Sequence, residues 1–150
     1  MKICFICHAN ICRSFAAERL LKEAARKAGR TDIEVFSRGL YASPDYVIPE
    51  KIKNFLKENG ADFENHISTL VSVKDLEQAD LVLVMTQDIL DTLLDRAPQY
   101  TDKIFLFLDY AYGTEKDMPD PIALSGRPFE KIMTELKKNV EVVFNKITAR

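Results

Sequence analysis

The sequence predicts an α/β fold, a single-domain doubly wound sheet of four parallel strands flanked by helices. Three observations carry this. The apolar runs "KICFIC" (2–7), "LVLVM" (81–85) and "IFLFL" (104–108) suit strands covered on both faces. Segments with helical periodicity lie between such runs, giving the order β-α-β-α-β-α-β-α, which favours parallel crossovers. The chain has 150 residues, which fits one domain spanning 1–150 with a real core.

The elements follow in order. Residues 2–7 form the first strand, and Ser14 is placed to cap the next helix. There the apolar pairs 16/17, 20/21 and 24/25 alternate with charged pairs, a stripe that Gly29 ends. "IEVFS" (33–37) is the second strand. Pro49 opens a helix with Ile52, Phe55 and Leu56 on one face, and Gly60 stops it. The runs 81–85 and 104–108 are the third and fourth strands. From Phe129, apolar positions 132, 133, 136, 140, 143, 144 and 147 mark a long C-terminal helix. Residues 109–128, rich in Pro, Gly and Asp, read as a long loop, and such loops are usually functional.

Composition excludes several classes. With 21 Lys and Arg against 23 Asp and Glu, the net charge of −2 gives no basic field for nucleic acid or an anionic membrane. No apolar run approaches the ~18 residues of a membrane span. The stretch before Cys7 is too short for a secretory leader. The three cysteines all fall within residues 4–12, so a disulfide framework is not expected and a reduced, cytoplasmic protein is.

The chemistry concentrates in "ICHANICRS" (6–14), at the strand end where doubly wound folds bind ligands. Five residues separate Cys7 from Arg13. A loop of that length can turn the backbone N–H groups of His8, Ala9, Asn10, Ile11, Cys12 and Arg13 inward as an anion nest at a helix N-terminus. The Arg13 guanidinium can hold two oxygens of a tetrahedral dianion in a fork. A thiol facing a positive nest is available as thiolate, so Cys7 is the candidate nucleophile. Asp120, in "PDP", can protonate the leaving group and then activate water, and Pro121 restricts its backbone. No metal and no cofactor is expected, since His8 and His66 are the only histidines and no carboxylates have metal spacing. Cys4 reads as a core residue. Its C-x-x-C spacing to Cys7 places the two on opposite faces of a strand, which argues against a metal or redox pair.

This stretch resembles the phosphate-binding signature of low-molecular-weight protein tyrosine phosphatases, V/I-C-x-G-N-x-C-R-S. "DP" at 120–121 falls where that family keeps its general acid. The resemblance implies Cys7 as nucleophile, Arg13 as phosphate ligand and Asp120 as acid and base. It implies that Asn10, Ser14, Ser37 and His66 brace the loop, with Asn10 in the left-handed conformation that Asn tolerates. It also implies that Cys12 traps oxidised Cys7 as a reversible disulfide. The implied partners are phosphotyrosine proteins; the sequence does not fix the oligomeric state, and a monomer is the expectation.

"SRGLYASP", "ADLVLVMT" and "DKIF" look closest to bacterial members, including the protein arginine phosphatase branch. Arginine-specific members carry Thr where this chain has Ile11, which implies a preference for phosphotyrosine. Three positions depart from the pattern. Ala9 replaces the usual Gly and would be strained if its φ were positive. Ile122 and Ala123 replace aromatic residues that wall the substrate site. Phe15 stands where Pro is common. Tyr110 and Tyr112 match tyrosines phosphorylated in some relatives, or simply line the pocket.

Two readings compete with a phosphatase. An arsenate reductase on this scaffold relays through downstream cysteines, and none follows Cys12. A non-catalytic phosphoprotein-binding module would be expected to lack Cys7, Arg13 or Asp120.

Overall fold

The computed structural model describes residues 1–149. Strands β1 (Lys2–Cys7), β2 (Glu34–Gly39), β3 (Leu81–Val84) and β4 (Ile104–Leu106) form one parallel sheet in the order β2-β1-β3-β4. The described helices are α1 (Arg13–Lys27), α2 (Glu50–Glu58), α3 (Val73–Gln78), α4 (Gln87–Arg96), α5 (Phe107–Tyr112) and α6 (Gly126–Thr148). A 3-10 turn at Pro98–Lys103 leads into β4.

β1 is central because every residue from Ile3 to Cys7 is buried, with neighbours on both edges. Its alternate side chains feed two cores. Ile3, Phe5 and Cys7 pack with α1, α2 and α6, while Cys4 and Ile6 pack with α3 and α4. Cys4 and Cys7 thus face opposite sides of the sheet, as the strand period requires. The strand order reverses at β1, which places its carboxyl end at the topological switch point. The loop 8–12 leaves from there.

The structure corrects several sequence expectations. Ser14 does not cap α1. Cys12 occupies the N-cap position with no side-chain hydrogen bond, and Ser14 already lies inside the helix with its hydroxyl turned to Cys7. β2 runs on to Gly39, where it pairs with Cys7. β4 ends at Leu106, because Phe107 and Leu108 open α5. The Phe107 ring meets Phe5 edge-on at 5.8 Å, so burial rather than the apolar run decides that boundary. α5 and the start of α6 shorten the irregular segment to 113–125. The short α3 was not predicted. It buries one side chain, Leu76, too little for periodicity, although the Ser72/Asp75 capping box is visible in sequence.

Candidate active site

The loop after β1 is built around one left-handed residue. Asn10 has φ 58°, and its side chain is fully buried behind the loop. The described non-glycine residues with positive φ are Asn10 and Asn65, so Ala9 carries no such strain. The Asn10 turn brings its backbone N–H to 3.2 Å from Cys7 Sγ.

A chain of hydrogen bonds runs beneath the loop. The Thr69 backbone N–H donates to Asn10 Oδ1 (3.0 Å), which fixes the amide orientation. Asn10 Nδ2 then donates to Ser14 Oγ (2.8 Å) and Ser37 Oγ (2.9 Å). The Ser37 hydroxyl donates to Glu18 Oε1 (2.7 Å). Ser14 Oγ, already accepting from Asn10, lies 2.9 Å from Cys7 Sγ, and against a thiolate its O–H is the donor. A thiolate there faces two donors, the Ser14 hydroxyl and the Asn10 N–H.

His66 Nε2 donates to the Asn10 carbonyl (2.7 Å), and its ring stacks on Phe15 at 4.1 Å between centroids. Burial, partly offset by that hydrogen bond, pushes the His66 pKa down, which keeps the ring neutral. The Ser68 hydroxyl donates to the Ala9 carbonyl (2.6 Å). Among the described residues no buried side-chain N or O lacks a partner.

The cleft above is lined by Cys7, His8, Ala9, Ile11, Cys12, Arg13, Asp120 and Ile122. Arg13 is buried, with Nη1 donating to the Met118 carbonyl (2.8 Å). Its Nη2 lies 3.6 Å from Asp120 Oδ2 and 3.4 Å from His8 Nδ1. Asp120 is half-exposed and accepts the Ile122 N–H at 3.1 Å, the local turn that an Asp-Pro step favours. Burial is the main cause raising the Cys12 thiol pKa to about 12, with Asp120 and Cys7 adding to it. All three cysteines are free thiols. Among the described residues no group of three or more His, Cys, Asp or Glu side chains is arranged to hold a metal ion, and no helix is long and apolar enough to cross a membrane.

Of the residues singled out in sequence, Cys7, His8, Ala9, Ile11, Cys12, Arg13 and Asp120 converge on the cleft. Asn10, Ser14, Ser37 and His66 lie beneath it. Ile122 joins the rim, half-exposed. Ala123 is not among the lining residues. Tyr110 packs on Phe105, and the Tyr112 hydroxyl donates to Asn139.

Sequence reasoning missed Glu18, a nearly fully buried carboxylate held by Ser37, Arg19 and Lys22. It also missed Ser68, Asp88 and Gly39. A Cβ on Gly39 would sit 2.7 Å from the His8 carbonyl oxygen and 3.0 Å from Asn10 Cβ, so only glycine lets β2 approach the loop. "SRG" carried that last signal, since an isolated glycine in a strand marks close backbone approach.

A parallel sheet whose first strand ends in a thiol, with an arginine opening the next helix and an aspartate facing both across one cleft, has the architecture of a phosphate-monoester hydrolase. The chain belongs to the low molecular weight phosphotyrosine protein phosphatase family, whose model matches residues 2–150. It is 32% identical over 139 residues to the protein-arginine-phosphatase of Bacillus subtilis, covering 92% of this chain and 91% of that one. It is 30% identical over 138 residues to the low molecular weight protein-tyrosine-phosphatase Wzb of Salmonella typhi, covering 92% and 88%. Among solved structures, a low molecular weight protein tyrosine phosphatase from T. tengcongensis superimposes with TM-score 0.90 at 31% identity, covering 97% of this chain and 99% of that one. A mutant of YwlE from Bacillus subtilis also gives 0.90, at 30% identity and 98% of both chains.

Proposed function

We propose that the domain, residues 1–150, is a metal-independent protein-tyrosine phosphatase working through a cysteinyl-phosphate intermediate. The observation that carries this reading is Cys7 Sγ facing the Asn10 N–H and the Ser14 hydroxyl in the same cleft as Arg13 and Asp120. The loop N–H groups of residues 8–13 and the Arg13 fork bind the dianion. Cys7 sulfur attacks phosphorus as the P–O bond to the phenol breaks, and Asp120 gives its proton to the departing oxygen. Asp120, now ionised, takes a proton from water, which attacks phosphorus and releases phosphate and the Cys7 thiolate. Asn10, Ser14, Ser37 and His66 hold the loop in place throughout.

Phosphotyrosine is favoured over phosphoarginine because Ile11 and Ile122 give the rim a hydrocarbon surface for an aryl ring. A guanidinium would lose water there without a partner from Ile11, at about 1–3 kcal/mol per unpaired polar group. The assay is phosphate release, without added metal, from matched phosphotyrosine and phosphoarginine peptides. A higher kcat/KM on phosphotyrosine is expected, and a clear advantage for phosphoarginine would overturn the preference.

Cys12 lines the same cleft and supports a redox role for this reduced, cytoplasmic enzyme. Hydrogen peroxide converts the Cys7 thiolate to a sulfenic acid. The Cys12 sulfur then displaces its hydroxyl as water, leaving a disulfide that thiols reduce. With the Cys12 pKa at about 12, its thiolate fraction rises nearly tenfold per pH unit across the neutral range. Disulfide closure should therefore accelerate from pH 7 to pH 9. Cys12→Ser should turn reversible inactivation into irreversible loss, and mapping that joins Cys7 to Cys4 would reject the pairing.

A further inference from the structure

His8 connects the phosphate loop to α4. Its Nε2 lies 2.7 Å from Asp88 Oδ2, in the first turn of that helix. The other Asp88 oxygen accepts the Thr86 hydroxyl. The Thr86 and His8 hydrogen bonds outweigh burial and hold the Asp88 pKa down, so the carboxylate is ionised and can only accept. In the neutral ring His8 Nε2 is therefore the donor, and Nδ1 keeps its lone pair. That lone pair faces Arg13 Nη2 at 3.4 Å. The His8 ring lies almost parallel to Tyr41, 6.1 Å between centroids at 8°, and the Tyr41 N–H donates to the His8 carbonyl (2.8 Å). The ring is thus held both on its face and at its edge.

The geometry points to Asp88 as a positioning residue: it fixes His8 with Nδ1 unprotonated, and that nitrogen holds the Arg13 guanidinium in register for a phosphate dianion. Without Asp88 either tautomer is available, and an Nδ1–H would confront the Arg13 donors. The pair also reaches across the sheet, since Asp88 follows β3 while His8 follows β1. This deepens the phosphatase reading and rests on it. A plain alternative is that Asp88 only stabilises the first turn of α4.

Asp88→Asn separates the two. With the Thr86 hydroxyl still on the amide oxygen, the amide N–H₂ faces Nε2 and makes it the acceptor, moving the His8 proton to Nδ1. Long-range ¹H–¹⁵N NMR at pH 8 should show the Nε2–H tautomer in the wild type and the Nδ1–H tautomer in Asp88→Asn. The Kd for inorganic phosphate and the KM for p-nitrophenyl phosphate should rise about 3- to 10-fold, with kcat nearly unchanged. In a His8→Ala background, Asp88→Asn should add nothing to the phosphate Kd. An unchanged tautomer, an unchanged Kd or additive effects in the double variant would each overturn the proposal. A wild type that binds phosphate in an Asp88-dependent way but releases none from any ester would sink the phosphatase reading and leave this inference standing.

Discussion

The two sides of the phosphate loop obey different rules. Beneath it, Asn10, Ser14, Ser37 and Glu18 are almost completely buried, and each polar atom has a defined donor or acceptor. Above it, Ile122 and Tyr41 are exposed and Asp120 is half-exposed. The buried side tolerates little change, because in low dielectric every unpaired group carries its full desolvation cost. The rim meets water in either state, so its residues can vary at small cost to the fold. The difference teaches that the floor fixes the shape of the loop, while on the phosphatase reading the rim meets the substrate and its leaving group.

The largest expected effect removes the chemistry and keeps the floor. Cys7→Ser should lose turnover while phosphate and vanadate still bind, because the loop N–H groups and Arg13 remain. Retention of more than a small fraction of the wild-type rate would break the covalent mechanism.

Asp120→Ala crosses to the rim but touches the reacting atoms. The rate on aryl phosphates with poor leaving groups should fall ~10²–10⁴-fold, and the loss should shrink as the leaving-group pKa drops. A uniform loss across leaving groups would point to binding or folding.

Gly39→Ala tests the floor by crowding. The new methyl meets the His8 carbonyl oxygen at 2.7 Å, a backbone atom that cannot move alone. A destabilisation of about 1–3 kcal/mol in urea unfolding is expected, with a parallel loss of phosphate affinity. A variant as stable and as active as the wild type would show that the floor is softer than its packing implies.

The smallest effect belongs to the rim. Ile11 is partly buried against the main core, so Ile11→Thr should cost about 0.5–1.5 kcal/mol of stability. It should move the phosphotyrosine to phosphoarginine ratio of kcat/KM toward phosphoarginine by about 2- to 10-fold, the worth of one net hydrogen bond. An unchanged ratio would place selectivity elsewhere in the cleft, where His8, Ala9, Asp120 and Ile122 are among the other lining residues.

The sequence alone determined the sheet and which groups stand as candidates for the chemistry. Three apolar runs, the strand at 33–37 and the stripes between them specify a parallel sheet, because that burial pattern has few other solutions. Cys7 and Arg13 are legible because both stand within one short loop whose spacing is itself the geometry. The tertiary structure decided what holds and surrounds that loop. Glu18, Gly39, Ser68 and Asp88 come from α1, β2, the 59–72 connection and α4, and no local pattern ties them to residue 10. It also ended β4 at Leu106, where the Phe107 contact with Phe5 overrode a continuous apolar run. Ser14 could be read as a helix cap because capping is a local rule. The structure turned its hydroxyl to Cys7 instead, because the buried sulfur at the strand end and the Asn10 amide 2.8 Å away together take up that oxygen.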